Sequence, residues 1–481
     1  MTTPETPAAP ASPAPSSTAP SSTAVVTRPT VAPPADWSFP EAERHELPSG
    51  LTLLTYDVPG QYVLSIRLGL PVSLRDERRD REGVATIMAR CLDEGTERHT
   101  AEEFARLLER KGVSFGAGIS EAGLFLDVDV VTGNVEPALD LLRQILTEPA
   151  FPDAEVARQV RTRLAEIEQE RSIAAHRAAM EFVATLYDAS ERASRPSGGT
   201  RETVRDIERD DVVAFHRDHV AASGATVVVA GDLTGLDIVA AVERSLGTWP
   251  AGEPRAPFLR NEAVLAPDRG RIVFVDRPGS VQSELILAAP GPDRSVPGGW
   301  APHPVIGFVV GGSPNARIDA ILREDKGFTY GIRAGFRPRS RGGVFVTSGS
   351  VRADSTAESL RLLVQILDGA GQGFTDAEVR SGVDFIGKTA PGRYATADSI
   401  ADEAVSMALD GRTTQFTTDN LRDLATVDRA RADAAWATFV ERAGVGPLGA
   451  GWTIIVVGDA AEHVEAVEAL GLGAVTVVKD S

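Results

Sequence analysis

Residues 311–331 read GGSPNARIDAILREDKGFTYG. Ser313 before Pro314 is a helix-start signal: the hydroxyl accepts an otherwise unpaired N–H, and proline at the first helical position forfeits no hydrogen bond. Ile318, Ile321 and Leu322 follow at helical spacing and give one apolar stripe. Gly327 is placed to end the helix, because glycine enters the left-handed cap without a side-chain penalty. Beyond it Tyr330, Ile332, Ala334 and Phe336 alternate with other residues in the period of a strand. This puts Arg323 in the last turn of a helix and Tyr330 at the opening of the next strand. The chain folds back between them, so both side chains can reach one point. The residue types alone also fit a charged helix end beside a core tyrosine.

Working outward, the chain repeats itself. Leu51–Tyr56 and Val63–Leu68 are strand-like runs around Asp57-Val-Pro59-Gly60. Ile272–Val275 and Glu284–Leu287 flank Asp276-Arg-Pro278-Gly279 in the same way. Each copy also ends alike, in Thr226–Asp232 and in Thr453–Asp459. Asp57 to Gly231 spans 174 residues and Asp276 to Gly458 spans 182, so one domain occurs twice. Helical stretches fall between the strands, at 83–94, 101–111, 155–171 and 176–187, then at 356–370, 375–387, 397–409 and 428–443. Strands followed by grouped helices predict an α+β chain of two homologous half-domains, each a mostly antiparallel sheet with helices packed on one face. The expected boundaries are 37–247 and 271–481, joined by a turn-rich linker at 248–270 that carries Trp249, Pro250, Gly252 and Pro254.

The chain has 481 residues, 42% of them hydrophobic, enough for two or more full cores. A net charge of −19 does not favour nucleic acid or anionic lipid as a partner. One cysteine, Cys91, allows no intrachain disulfide and reads as a small core residue. No apolar run reaches the ~18 residues of a membrane span. Residues 1–36 are almost all Pro, Ala, Ser and Thr, too poor in apolar surface to offset the entropy of ordering. They lack the basic start and apolar run of a secretory signal, so the expectation is a disordered tail on a cytoplasmic protein.

The Gly311–Gly331 stretch resembles the pitrilysin or insulinase-type metallopeptidases, the inverted zincins. Their C-terminal half-domains carry a Gly-rich strand end, a helix, and then Leu-Arg-Glu-x-Lys-Gly-x-x-Tyr. Here those positions are Leu322, Arg323, Glu324, Lys326, Gly327 and Tyr330. The resemblance implies that Arg323 and Tyr330 point at the scissile carbonyl, with Gly311 and Gly312 beside the substrate. Two donors aimed at a developing oxyanion are what amide hydrolysis needs besides a metal.

The family's other half-domain carries His-x-x-Glu-His, two imidazoles on one helix face for zinc and a glutamate as base. Its surroundings are recognisable in Ser73, Arg75, Glu77, Gly83 and Ala85 before the motif and in Leu92, Gly95 and Thr96 after it. The motif positions themselves hold Thr86, Ala89 and Arg90. Threonine is a poor zinc ligand, alanine is no base and arginine repels a cation. Glu166, 76 residues after Arg90, has the spacing of the third ligand, and also fits a surface charge on a helix of alternating sign. His216 and His219 have a loose metal spacing inside a structural helix; His99, His176 and His303 stand alone. No Gly-x-Ser-x-Gly elbow or phosphate loop is present.

Some members of this family divide the work between two chains, one bearing zinc and the other bearing the Arg/Tyr pair. The resemblance implies the second kind: a non-catalytic subunit with no metal of its own, in a heterodimer with a zinc-bearing homologue, closing around a peptide. The alternative is a peptidase-derived binding or scaffold protein with no role in hydrolysis, as the core proteins of a respiratory complex are.

Overall fold

The computed structural model describes residues 32, 36–253, 263–339 and 341–480. The tail expected over 1–36 lies almost wholly outside the described residues, as does the middle of the 248–270 linker.

Two six-stranded sheets form the frame. The first contains β1 (Glu43–Glu46), β2 (Thr52–Asp57), β3 (Val63–Leu70), β4 (Ser114–Ile119), β5 (Leu124–Val131) and β6 (Thr226–Gly231), in the order β1-β2-β6-β3-β5-β4. The second contains β7 (Ile272–Asp276), β8 (Gln282–Gly291), β9 (Arg333–Pro338), β10 (Gly343–Arg352), β11 (Thr453–Gly458) and β12 (Val475–Lys479), in the order β12-β7-β11-β8-β10-β9. Five positions correspond strand for strand. The sixth differs: β1 runs antiparallel to β2, whereas β12 runs parallel to β7. The repeated turns do the same work in both halves. Asp232 accepts the N–H of Gly60 at 2.8 Å, and Asp459 accepts that of Gly279 at 2.6 Å.

Alternation along each strand sorts its residues between two cores. Leu53, Leu64, Ile66, Leu68 and Val227 face the first half's own helices, among them Val84–Cys91, Val135–Thr147 and Arg209–His219. Phe274, Leu285, Leu287 and Ile454 face those of the second half, including Thr356–Ala370 and Arg429–Ala443. The opposite faces are covered by exchange. Helix Ala397–Leu409 of the second half lies on the first sheet, burying Ile400, Ala401 and Ala404 against Tyr56, Val228 and Ala230. Helix Ala174–Leu186 of the first half lies on the second sheet, burying Ala178, Phe182 and Leu186 against Val273, Ile286 and Ile455. Each sheet thus has its own helices on one face, as expected, and a helix from the other half on its second face.

Polar contacts lock the exchange. Buried Arg67 donates to Asp402 at 2.6 Å and to Asp129 at 3.0 Å. Arg277 donates to the carbonyls of Arg171 and Ser172 at 2.6 and 2.9 Å. Gly69 makes room: a Cβ there would lie 2.7 Å from Val405 Cγ2. Among the described residues no helix is long and apolar enough to cross a membrane.

Candidate functional site

Helix Val84–Cys91 carries the three positions of the zinc motif. It begins at Gly83, at φ 103°, where a side chain would be strained. Glu77 holds this start, accepting the N–H groups of Gly83 and Ala85 at 2.9 and 3.1 Å and a two-pronged bond from Arg192. Thr86, Ala89 and Arg90 line a cleft of about 330 Å³, walled by Ala117, Gly118 and Ile119 of the edge strand β4.

In this cleft Arg90 meets Glu166. Its two terminal nitrogens donate to the two carboxylate oxygens, both at 2.9 Å. Arg163 donates to Glu166 at 3.1 Å and to Glu170 at 2.6 and 3.0 Å. Burial opposes ionisation of Glu166, but Arg90 and then Arg163 outweigh it and hold the carboxyl below its usual range. Glu166 is therefore not a free charge on an alternating surface: it answers the motif helix, with its side chain 34% exposed. These residues do not fit zinc. The one carboxylate is spent on a guanidinium, and Thr86 and Ala89 add neither imidazole nor base. Among the described residues no cluster of three or more His, Cys, Asp or Glu fits a metal.

The second part of the site is the Arg323/Tyr330 turn, where the sequence expectation needs two corrections. The helix does not begin at Ser313–Pro314. Residues 302–312 are already helical, Ser313 ends that helix in extended backbone, and the 313–316 turn leads into helical residues from Arg317. Gly311 accordingly sits in a helix and not at a strand end; a Cβ there would lie 2.6 Å from the backbone nitrogen of Ala334, so the glycine lets the helix settle on β9. Gly312 beside it is exposed. Nor does Tyr330 open the strand, which starts at Arg333. The end of the helix is as expected: Gly327 takes φ 63°, its N–H donates to Arg323 O at 3.2 Å, and Phe328 N–H donates to Leu322 O at 2.9 Å.

The loop that follows is tied down on every side except one. Phe328 O accepts from Arg352 N–H at 2.9 Å, and the Thr329 hydroxyl donates to Ser350 O at 2.7 Å. Gly331 N–H donates to Thr329 Oγ1 at 3.0 Å. Asp319, 0% exposed, accepts from Ile332 N–H at 3.2 Å and from Arg333 at 2.8 Å. Tyr330 alone projects outward, 95% exposed, which removes the reading of a core tyrosine. Arg323 is also exposed, and its nearest charge partner is Glu324 at 3.5 Å.

Sequence reasoning missed Asp319 and Thr329. Asp319 stands one helical turn before Leu322, on the flank of the buried stripe, and an acid in that place was the available signal. His216 is a core group: its ring nitrogen meets Leu146 O at 3.1 Å, and burial pushes its pKa down to about 4. Cys91 is buried, which pushes its thiol up to about 12.

The chain resembles known proteins over most of its length. Residues 59–194 match the family profile described as Insulinase (Peptidase family M16), and residues 206–384 match that described as Peptidase M16 inactive domain. An uncharacterized zinc protease of Rickettsia felis is 24% identical over 322 residues, covering 67% of this chain and 75% of that protein. The non-peptidase homolog YmxG of Helicobacter pylori is 24% identical over 362 residues, covering 74% of this chain and 78% of the other. The crystal structure of a peptidase M16 inactive domain from Pseudomonas fluorescens superposes with a TM-score of 0.78 at 22% identity, covering 87% of this chain and 98% of that one. The two profiles together cover well over half of its length: the chain belongs to the peptidase M16, or insulinase, family.

Proposed function

We propose that this chain is the zinc-less subunit of a heterodimeric M16 peptidase, supplying Arg323 and Tyr330 to peptide hydrolysis by a zinc-bearing homologue. The observation that carries the reading is Tyr330. A tyrosine 95% exposed, on a loop whose neighbours are all hydrogen-bonded, has no packing role here. The backbone on either side of it is fixed by hydrogen bonds, and its phenol is offered outward, where it can act as an oxyanion donor once a peptide and a second chain close over it. Arg323, seven residues earlier in the last turn of the preceding helix, adds a positive charge.

The motif cleft supports the same division of labour. Arg90 and Glu166 neutralise each other where the family places its metal, so this chain contributes no metal-bound water. A peptide reaching across the interface would present its carbonyl to the partner's zinc and to this chain's phenol and guanidinium. The partner is a protein of the same fold with an intact His-x-x-Glu-His. The names of related proteins, an uncharacterized zinc protease in one case and a non-peptidase homolog in another, are compatible with a family that includes both kinds.

The test is Tyr330→Phe in the reconstituted complex. The substitution keeps the ring and removes one hydroxyl from an exposed site, so folding and assembly should be unchanged. The cleavage rate should fall by ~10²–10³, the usual effect of losing one oxyanion donor. Turnover within about twofold of wild type would remove the hydrolytic role and leave a scaffold.

A further inference from the structure

The charge of the chain is distributed in a way that its total conceals. Net charge is −19, yet from Lys326 to Ala353 there is no acidic residue and there are six basic ones: Lys326, Arg333, Arg337, Arg339, Arg341 and Arg352. This segment is the Tyr330 loop, the edge strand β9, its hairpin and the return strand β10. The corresponding edge of the first half is different. β4 reads SFGAGI with no charge, and its neighbour β5 carries Asp127 and Asp129.

The structure shows which of these cations are committed. Arg333 bonds buried Asp319 but keeps a side chain 57% exposed, Arg339 pairs with Glu121, Arg352 with Asp354, and Lys326 with Asp325. Arg337 and Arg341 are exposed and have no ion-pair partner among the described residues. Arg333 and Arg337 stand four residues apart on β9, so both project from the same face, while Ala334 and Phe336 turn into the core. β9 is the last strand of its sheet and pairs only with β10 among the described residues. Its outer row of backbone groups is a template for one more strand. Beyond the end of β9, a cavity of about 550 Å³ is lined by Arg341 and Arg442, by Arg339 and Arg431, which pair with Glu121 and Asp423, and by Asp293 as its acid.

We infer that the β9 edge binds an extended acidic peptide, paired as an added strand from the Tyr330 loop toward the arginine-lined cavity. This deepens the reading above by naming the substrate class of the same site: peptides with glutamate or aspartate flanking the bond to be cut. Two unpaired guanidiniums supply attraction close at hand, and the surrounding excess of carboxylates repels acidic chains elsewhere on the surface. The spacing of Arg333 and Arg337 selects acids on alternate residues, since an added strand presents every second side chain to one face.

The test uses the full chain alone, without a partner, and measures fluorescence anisotropy with three labelled peptides. One alternates threonine and glutamate, one alternates threonine and glutamine, and the third is the acidic peptide methylated at alternate backbone nitrogens. The acidic peptide should bind, more weakly as salt rises, and the glutamine peptide should bind at least about threefold less well. The double variant R337Q/R341Q, altered only at exposed side chains, should weaken the acidic peptide by about three- to tenfold and leave the glutamine peptide unchanged, as two exposed ion pairs would. N-methylation should abolish binding. Equal binding of acid and amide peptides, no binding of either, or an unchanged acidic affinity in the double variant would overturn the charge selection; retained binding of the methylated peptide would overturn the strand addition. Tyr330→Phe should leave these affinities as they are. Normal acidic binding together with undiminished cleavage in that variant would therefore sink the oxyanion role and not this one.

Discussion

Asp319→Ala should cost far more than an aspartate at the edge of a charged helix ordinarily does. The carboxylate is fully buried and serves two donors, Ile332 N–H at 3.2 Å and Arg333 at 2.8 Å. Their losses differ. Ile332 is itself fully buried, so its N–H would be left without an acceptor, a penalty of about 1–3 kcal/mol. The Arg333 side chain is 57% exposed and regains water, so its share is at most about 1 kcal/mol. Removing the carboxylate from between Leu322 and β9 adds a small void. The sum is about 1–4 kcal/mol, and it falls on one loop. Amide exchange at Gly331 and Ile332 should quicken, while exchange in the first sheet stays unchanged. Asp319→Asn keeps one oxygen for the Ile332 N–H and turns an amide toward Arg333, so it should cost about half as much. Urea unfolding of the three proteins checks the order. A loss below about 0.5 kcal/mol for Asp319→Ala, with exchange in residues 328–332 unaltered, would refute the claim that this carboxylate clamps the Tyr330 loop.

Gly69→Ala should destabilise the chain by about 1–3 kcal/mol, because its Cβ would lie 2.7 Å from Val405 and 3.1 Å from Leu409 on the exchanged helix; thermal unfolding measures it. Glu378, bonded by Arg317 and capping the helix Asp376–Arg393, has its carboxyl lowered from 4.5 to about 2. A depressed carboxylate stabilises above its unfolded pKa and loses that contribution as pH falls through the folded one. The stability gap between wild type and Glu378→Gln should therefore be full at pH 6 and close between about 4.5 and about 2. Purified chain should carry no stoichiometric zinc by elemental analysis, and one tightly held ion per chain would contradict the assignment of the Arg90 cleft. Arg90→Ala should cost about 1 kcal/mol or less, since the pair is one-third exposed and Glu166 keeps Arg163.

Much of the frame was legible because it is written in local chemistry. The Asp-x-Pro-Gly turns reveal the duplication, and in both halves their backbone meets an aspartate of the closing strand. Gly327 ends its helix as glycine at that spacing must. The exchange of helices was not legible. The apolar faces of Ala174–Leu186 and Ala397–Leu409 say that each is buried, but not against which sheet; nothing local distinguishes Tyr56 and Val228 from Ile286 and Ile455 as neighbours. Tyr330 was misplaced because alternation extends through it, whereas Ile332 N–H is taken by Asp319 and not by a strand. The start at Ser313–Pro314 failed for a related reason: a helix already runs to Gly312, and the serine closes it.

The Arg90–Glu166 pair bears on how a metal site can be lost while its surroundings persist. A zinc site concentrates positive charge among carboxylate and imidazole groups, and deleting the ion alone leaves an uncompensated, partly buried acid. Here Arg90, at the position where the family resemblance implies a ligand, serves with Arg163 as counter-ion to Glu166, its two bonds both at 2.9 Å. The motif helix therefore keeps its place against the long helix Asp153–Ser172, and the cleft beside β4 keeps its shape without a metal. In the other half Arg323 and Tyr330 stand exposed on a clamped turn, and among the described residues the charge partner of Arg323 is its neighbour Glu324 at 3.5 Å. One half is internally paired and the other presents exposed groups, an asymmetry that the proposed second chain would complete.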